Sequence, residues 1–429
     1  MKRKYAKTNK QYKKTIKRIP MATQTASKSA SNFVEGAFPL FLEKGKGCKV
    51  WDLDGNNYTD YILGLLPIVL GYQDKDVDRA IKNQLKKGIS FSLATTLETD
   101  LANLLIQLIP SAEMVRFAKT GSDVTTASIR LARAYTGRDK IALCGYHGWH
   151  DWFIGTTNRS IGVPSAVKRL SSPFPFNNLS ELEKMLKKEP NSYAAVIIEP
   201  ESTKKPEQKF LEGVRKLTKK FGALLIFDEI VTGFRIHMGG AQAKYRVTPD
   251  LSCFGKSMGN GMPISALVGK AKIMKLLEEV FFSGTFNGEA LSLAAAIATI
   301  KKLKRTNGIK RIQRLGESLK KSITEIINKN GIDDYITIGG PDWRPCIVIQ
   351  ENKLESRVIQ SLLRQQLAKN GLLFGSAFNL CLSHDSKEVF HETNRIWEKT
   401  SSELNKILHS KNPRSFLKGK PMTPIFTQR

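Results

Sequence analysis

The sequence contains few cysteines and no long apolar run, and each shortage excludes a class of protein. Its 429 residues include 5 cysteines, none of them in a CxxC pair. We therefore expect no zinc or other metal site, and the odd number is typical of reduced thiols in a cytoplasmic protein. Because no stretch of about 18 consecutive apolar residues occurs, we expect no membrane span. The cysteines stand singly at Cys48, Cys144, Cys253, Cys346 and Cys381.

Acidic residues are scarce as well, above all near the amino terminus. The chain has 68 Lys+Arg against 39 Asp+Glu, a formal net charge of +29, and its first acidic residue is Glu35. Such an excess can indicate an anionic partner or a ligand that carries phosphates. A non-catalytic protein that binds nucleic acid or an anionic surface is therefore one hypothesis, although no aromatic–basic RNA-binding motif supports it. Residues 1–32 are predicted to be a basic arm with a short helix at about residues 12–19, ended by Pro20, with an organellar transit peptide as the alternative.

From residue 75 onward, short apolar runs alternate with segments of helical spacing. These runs lack polar alternation, which is typical of central strands in a parallel sheet. The alternation predicts an α/β fold, a large and mostly parallel sheet domain at 75–325 with helices on both faces. Residues 33–74 and 326–429 are predicted to form a smaller α+β domain. The clearest apolar runs lie at residues 140–144, 194–198 and 223–227.

Polar residues follow several of the predicted strands, where ligands gather in open α/β sheets. Gly121 and Ser122 open a helix whose backbone N–H groups and dipole suit a phosphate, although such residues also cap ordinary helices. Asp228 ends a buried strand, where a carboxylate is costly unless it is paired or used. Lys256 stands between a short strand and a glycine-rich loop, and has few charged neighbours in sequence. Such a lysine can be an amine nucleophile toward carbonyl groups, whereas most lysines are surface charges.

Seven stretches in fixed order together resemble the class III pyridoxal-phosphate-dependent aminotransferases, which have fold type I. Among these, the sequence is most similar to the glutamate-1-semialdehyde 2,1-aminomutase-like proteins. The resemblance spans about residues 10–390 and implies an enzyme whose cofactor is pyridoxal 5'-phosphate. The matching stretches are WDLDGNNYTDY, AEMVRFAKTGSD, SIRLARAYTGRDKI, GYHGWHDWF, ALLIFDEIVTGFR, GGAQAKYRVTPDLSCFGKSMGNGMPIS and SGTFNGEALSLAAA.

The resemblance assigns catalytic roles to two residues. Lys256 resembles the lysine that binds the cofactor as a Schiff base and later moves a proton between cofactor and substrate. Asp228 resembles the acid that pairs with the pyridine nitrogen, which keeps the ring protonated and able to withdraw electrons. Gly121 and Ser122 match the loop that binds the cofactor phosphate.

Two further residues match cofactor contacts of the family. Tyr146 resembles an aromatic residue that stacks on the cofactor ring; without the family pattern, a core aromatic is an equally good interpretation. Thr285 resembles a threonine that reaches the phosphate in the neighbouring subunit, which implies a homodimer; without the pattern, a plain loop hydroxyl is favoured. The other expected partners are a small-molecule amino donor and a carbonyl acceptor.

Departures from the aminomutase pattern lie on the substrate side. Lys28 stands where the aminomutases have an arginine, Leu65 replaces a tryptophan and Asn379 replaces a glutamate. Lysine keeps the charge of arginine but lacks the bidentate geometry that suits a carboxylate. Arg344 is a candidate contact for a substrate carboxylate, with a surface role as the alternative. We therefore predict an aminotransferase for another aldehyde or ketone, such as a sugar-derived one, with the aminomutase itself as the alternative.

Overall fold

The computed structural model describes residues 3–350, 354–423 and 425, which form two compact units. The large unit contains Leu66–Ile68 and Lys75–Ile309, and the small unit contains the chain up to Leu65, Val69–Asp74 and Lys310–Ile425. Residues 310–325 were predicted to belong to the large domain. The structure places them in the small unit, because they belong to a long helix that continues to Lys329.

Thirteen strands lie in the described part of the chain. The strands are β1 (Leu42–Lys46), β2 (Lys49–Asp52), β3 (Asn57–Asp60), β4 (Met114–Ala118), β5 (Lys140–Cys144), β6 (Ser171–Pro173), β7 (Tyr193–Ile198), β8 (Leu224–Asp228), β9 (Leu251–Phe254), β10 (Ser265–Gly269), β11 (Ile336–Gly339), β12 (Cys346–Ile349) and β13 (Leu372–Leu373). The α-helices are α1 (Ala6–Thr15), α2 (Lys75–Leu85), α3 (Thr96–Leu108), α4 (Gly121–Thr136), α5 (Asp151–Ile154), α6 (Ser165–Lys168), α7 (Leu179–Lys188), α8 (Phe210–Phe221), α9 (Gly240–Tyr245), α10 (Ala271–Met274), α11 (Ala290–Arg305), α12 (Gly308–Lys329), α13 (Ser356–Asn370) and α14 (Lys387–Leu408).

A seven-stranded sheet in the order β4-β10-β9-β8-β7-β5-β6 forms the centre of the large unit. The strands β6, β5, β7, β8 and β9 run parallel, and β10 is antiparallel to both β9 and β4. All residues of β7 and β8 are buried, as their uninterrupted apolar sequences predict. In β7, Ala195 and Ile197 enter one apolar cluster, whereas Val196 and Ile198 enter another. Both faces of the sheet are therefore covered, and the predicted α/β fold with a mostly parallel sheet is confirmed.

The small unit contains a four-stranded sheet in the order β1-β2-β3-β13 and a hairpin of β11 and β12. The strands β1, β2 and β3 are antiparallel neighbours, and β13 pairs with β3 in parallel.

None of the helices that the structure describes combines the length and the apolar character that a membrane span requires.

The amino-terminal helix lies earlier in the chain than predicted, at Ala6–Thr15 rather than at about residues 12–19. Asp54 explains this position, because its carboxylate accepts the backbone N–H groups of Lys7 at 2.8 Å and of Thr8 at 2.9 Å. A carboxylate at this end satisfies helix N–H groups that lack an intrahelical acceptor and favours the helix dipole. The basic arm is therefore a docked helix of the small unit.

Candidate active site

Asp228 is the last residue of β8 and only 3% of it is exposed. Its Oδ2 lies 2.8 Å from Nδ1 of the buried His147, and its Oδ1 accepts the backbone N–H of Ile230 at 3.1 Å. Because an ionised carboxylate can only accept, Nδ1 of His147 is the donor in this arrangement. The Nε2 atom of His147 is buried and has no hydrogen-bond partner among the described residues. His147 therefore donates one hydrogen bond, from Nδ1, to Asp228 at the carboxyl edge of the sheet.

A cavity of about 300 Å³ opens at this edge of the sheet in the large unit. The structure brings together there five of the six residues predicted to bind the cofactor. They are Gly121, Ser122, Tyr146, Asp228 and Lys256.

The wall of the cavity at Gly121 and Ser122 is the first turn of α4. Thr120 and Asp123 cap this helix reciprocally: the Thr120 N–H donates to Asp123 at 2.7 Å, and the Asp123 N–H donates to Thr120 Oγ1 at 3.3 Å. The capping interpretation thus holds for these two residues, while the positive end of the helix dipole faces the cavity. The loop that contains Gly148 lies close to Ser122 at the start of α4. Only glycine fits there, because a Cβ at position 148 would lie 2.3 Å from Ser122 Oγ.

Lys256 begins a 3₁₀ turn directly after β9 and Gly255. Its φ of 39° lies in the left-handed region, where a residue with a side chain is uncommon and strained. The next residue stabilises this turn, since the buried Ser257 donates its hydroxyl to the Leu66 carbonyl at 3.1 Å. Strain that the surrounding structure maintains is typical of functional sites.

Tyr146 presents a partly exposed ring to the cavity, with 45% of the residue accessible. The ring packs edge-on against Phe153, with 5.3 Å between centroids and 85° between planes. Its backbone N–H donates to Glu199 Oε2 at 2.9 Å. Burial raises the pKa of the Tyr146 hydroxyl, and the charges of Asp228 and Glu199 raise it further. Contacts with Phe153 and Glu199 therefore hold Tyr146 in place, and its phenol stays neutral at ordinary pH.

Thr285, the sixth predicted residue, does not line this cavity. It is exposed and borders a separate cavity of about 640 Å³ in the large unit. Phe91 and Leu93 line the same cavity, although 50% and 84% of them are exposed.

The four substrate-side candidates lie in the small unit. Arg344 and Asn379 are neighbours, since the Arg344 Nε donates to Asn379 Oδ1 at 3.1 Å. Asn379 is buried, and its amide nitrogen donates to the Ile62 carbonyl at 3.0 Å, which fixes its orientation. Lys28 is exposed at the end of a short 3₁₀ turn, and Leu65 is half-buried with a φ of 75°.

Two further residues of the cavity, His147 and Glu199, had no role predicted from the sequence. His147 lies in the quoted stretch GYHGWHDWF without an assigned role, and 81 residues separate it from Asp228. Glu199 follows the apolar run of β7 directly, as Asp228 ends that of β8. The rule that polar residues at strand ends form sites would have found Glu199.

A lysine, a buried aspartate and a helix amino terminus at the carboxyl edge of a mostly parallel sheet define a fold type I pyridoxal-phosphate-dependent enzyme. A family model described as aminotransferase class-III matches residues 30–339. The chain belongs to the class III aminotransferase family.

The relatives agree with this assignment. The chain is 37% identical over 391 residues to the 3-aminobutyryl-CoA aminotransferase of Cloacimonas acidaminovorans, which covers 88% of this chain and 92% of the relative. It is 36% identical to the glutamate-1-semialdehyde 2,1-aminomutase of Natranaerobius thermophilus, with coverage of 76% and 80%. The structure of the internal aldimine form of FumI from Sphingopyxis sp. MTA144 has a TM-score of 0.89 and 25% identity, covering 96% of this chain and 100% of that one.

The predicted family, enzyme class and cofactor are therefore confirmed. The chain is an aminotransferase or aminomutase that uses pyridoxal 5'-phosphate and small-molecule substrates. The hypothesis of a non-catalytic nucleic-acid-binding protein receives no support from these relatives.

Proposed function

We propose that this protein is an aminotransferase that binds pyridoxal 5'-phosphate as a Schiff base on Lys256 and transfers an amino group to an aldehyde or ketone. The observation that carries the proposal is the single cavity lined by Lys256, Asp228 and the first turn of α4. These residues fit the cofactor chemically: an amine for its aldehyde, an acid for its ring nitrogen and a helix terminus for its phosphate. When bound, the cofactor supplies the electron sink that lets a bond at the amine-bearing carbon of the substrate break.

Each protein group has a separate task in this proposal. Asp228 keeps a proton on the ring nitrogen, and the hydrogen bond from His147 Nδ1 stabilises its negative charge. Tyr146 and Ile230 line the cavity and exclude water from the ring. The Lys256 amine would take up and return the proton at the amine-bearing carbon of the substrate.

The substrate side supports a carbonyl other than glutamate-1-semialdehyde. Lys28, Leu65 and Asn379 depart from the aminomutase pattern, whereas all cofactor positions agree with the family. Arg344, whose Nε donates to the immobilised Asn379, is our candidate for binding a substrate carboxylate. A sugar-derived carbonyl, the acyl-CoA substrate named for the Cloacimonas relative and glutamate-1-semialdehyde are the alternatives that an assay must distinguish.

A homodimer completes the proposal. Thr285 is exposed away from the cofactor cavity of its own chain, as a residue that serves a second copy would be. Large apolar side chains near it are also exposed: 84% of Leu93, 79% of Phe281 and 61% of Phe286. An apolar patch of this kind marks an interaction surface, and a second copy of the chain would cover it.

Half-reactions with purified, cofactor-loaded protein test the function. We expect an amino donor to convert the bound cofactor to pyridoxamine phosphate, seen as loss of the Schiff-base absorbance, and a carbonyl acceptor to restore it. Lys256→Ala should abolish the absorbance of the lysine-bound form. Conversion of glutamate-1-semialdehyde to 5-aminolevulinate at ordinary enzymatic rates would contradict the substrate assignment, and failure of every donor would contradict the transaminase.

A further inference from the structure

A second carboxyl group, that of Glu199, lies beside Asp228. The strands β7 and β8 are parallel neighbours in which Ile198 pairs with Phe227, so the next residue of each strand emerges at the same level. Glu199 and Asp228 both line the cavity that contains Lys256. Two carboxyl groups that line one cavity do not both ionise readily, because like charges repel and the loss of solvent penalises each charge.

The donors around the pair are distributed unequally. Asp228 accepts from the imidazole of His147 and from the backbone N–H of Ile230. Glu199 accepts the backbone N–H of Tyr146 at Oε2. Because Asp228 accepts two hydrogen bonds and Glu199 accepts one, the donors stabilise a negative charge on Asp228 more than on Glu199.

The electrostatic surroundings of Glu199 favour its neutral form. Burial raises the pKa of Glu199 and the charge of Asp228 raises it further, which outweighs the lowering by His147, by the Tyr146 backbone N–H and by Lys256. The titratable groups that face Glu199 are Cys144, Tyr146, His147, Asp228 and Lys256.

The backbone is shaped around this carboxyl group. Gly145 has a φ of 114°, and a Cβ there would lie 2.7 Å from Glu199 Oε2. A side chain at position 145 would thus displace the carboxyl group from the Tyr146 N–H. The glycine at position 145 therefore leaves room for the Glu199 carboxyl group at the wall of the cavity.

We propose that Glu199 is the neutral member of the carboxyl pair and donates a hydrogen bond into the cavity, where the oxygen atoms of the cofactor are the acceptors. Since Oε2 already accepts from Tyr146, the acid proton resides on Oε1. Glu199 is then a positioning residue that orients the cofactor without adding a second negative charge beside Lys256. The inference rests on the proposed function, because it assigns this residue a task in the same site.

A spectroscopic titration of the cofactor-loaded protein tests the charge of Glu199. Glu199→Gln replaces the side chain by a neutral one of the same shape, and we expect the pKa of the Schiff base to move by less than about 0.5 unit. Were Glu199 ionised, removal of its charge would lower that pKa, by roughly 2 units for two charges about 6 Å apart at an effective dielectric constant near 20. A shift of that size would overturn the proposal.

Infrared difference spectroscopy gives a readout that needs no cofactor. The wild-type protein at neutral pH should show a carbonyl band of a protonated carboxyl group that disappears in Glu199→Gln. Glu201→Gln is the matched control and should keep the band, because Glu201 is buried two residues further on but forms an ion pair with Lys244 at 2.9 Å. A Glu199→Asp variant should keep the band at a shifted frequency, which guards against loss of fold.

The two measurements separate the possible failures. A protein that takes up no cofactor would refute the proposed function, and the infrared band would still decide the protonation of Glu199. A loaded, active enzyme in which Glu199→Gln removes no band would refute the inference alone.

Discussion

The hydrogen bond between His147 and Asp228 offers the sharpest test of how the protein controls its cofactor. His147→Phe keeps a flat ring against Trp152 and Phe153 but removes the Nδ1 donor, 2.8 Å from Asp228 Oδ2. Hydrogen bonds to charged groups contribute about 1.5–3 kcal/mol. If that stabilisation is needed most when the ring withdraws electrons, the half-reaction should slow by about 10- to 150-fold.

The His147→Phe substitution should affect the stability of the fold less than the rate of the half-reaction. The Nε2 atom of His147 is buried without a partner among the described residues, which destabilises the fold. Phenylalanine removes this unpaired atom, and that gain offsets part of the lost hydrogen bond. We expect the free energy of unfolding to fall by less than about 2 kcal/mol, as measured by denaturant titration of the cofactor-free protein. His409→Phe, at an exposed histidine of the small unit, is the control. A His147→Phe enzyme whose half-reaction stays within about twofold of wild type would refute the reasoning.

Two other perturbations have defined outcomes. Gly148→Ala should weaken cofactor binding at least about tenfold in a fluorescence titration, because the new Cβ would lie 2.3 Å from Ser122 Oγ. Gly137→Ala is the control, since Gly137 also has a positive φ but its Cβ would meet no such contact. Equal losses of binding in the two variants would argue against the steric cause. Asp250 is buried, which raises its pKa, but hydrogen bonds from Lys270 and other donors outweigh this and lower it overall. The stabilisation by Asp250 is therefore present above the unfolded pKa of about 3.9 and is lost as pH falls through the lower folded value, so Asp250→Asn should flatten the acid limb of the unfolding free energy. An unchanged acid limb would show that another group controls it.

Local sequence signals were sufficient for the sheet and for part of the site. The apolar run of β8 predicted both a buried strand and a polar residue, Asp228, at its carboxyl end, because parallel strands present that edge together. The partnership of Asp228 with His147 could not be read from spacing, since the fold alone brings two residues 81 positions apart into contact. The start of α1 was misplaced for the same reason: its cap, Asp54, lies 46 residues beyond Thr8.

Thr285 shows a different limit. Its family role was predictable from the stretch SGTFNGE, but within one chain the residue borders another cavity. In the proposed homodimer a second copy would complete the contact of Thr285, which the structure of one chain does not contain.

The segment Leu66–Ile68 has a consequence for how this enzyme can change over time. The guanidinium of Arg235 donates to the carbonyls of Leu66 at 2.5 Å and Ile68 at 3.0 Å, and Ser257 also donates to Leu66. Every acceptor in this anchor is a backbone atom, so the anchor does not depend on which side chains the segment carries. Mutations can therefore alter neighbouring side chains such as Leu65 while the turn that begins at Lys256 stays intact. If Leu65 contacts the substrate as the sequence predicts, the substrate side can therefore change while the backbone anchor of the Lys256 turn is kept.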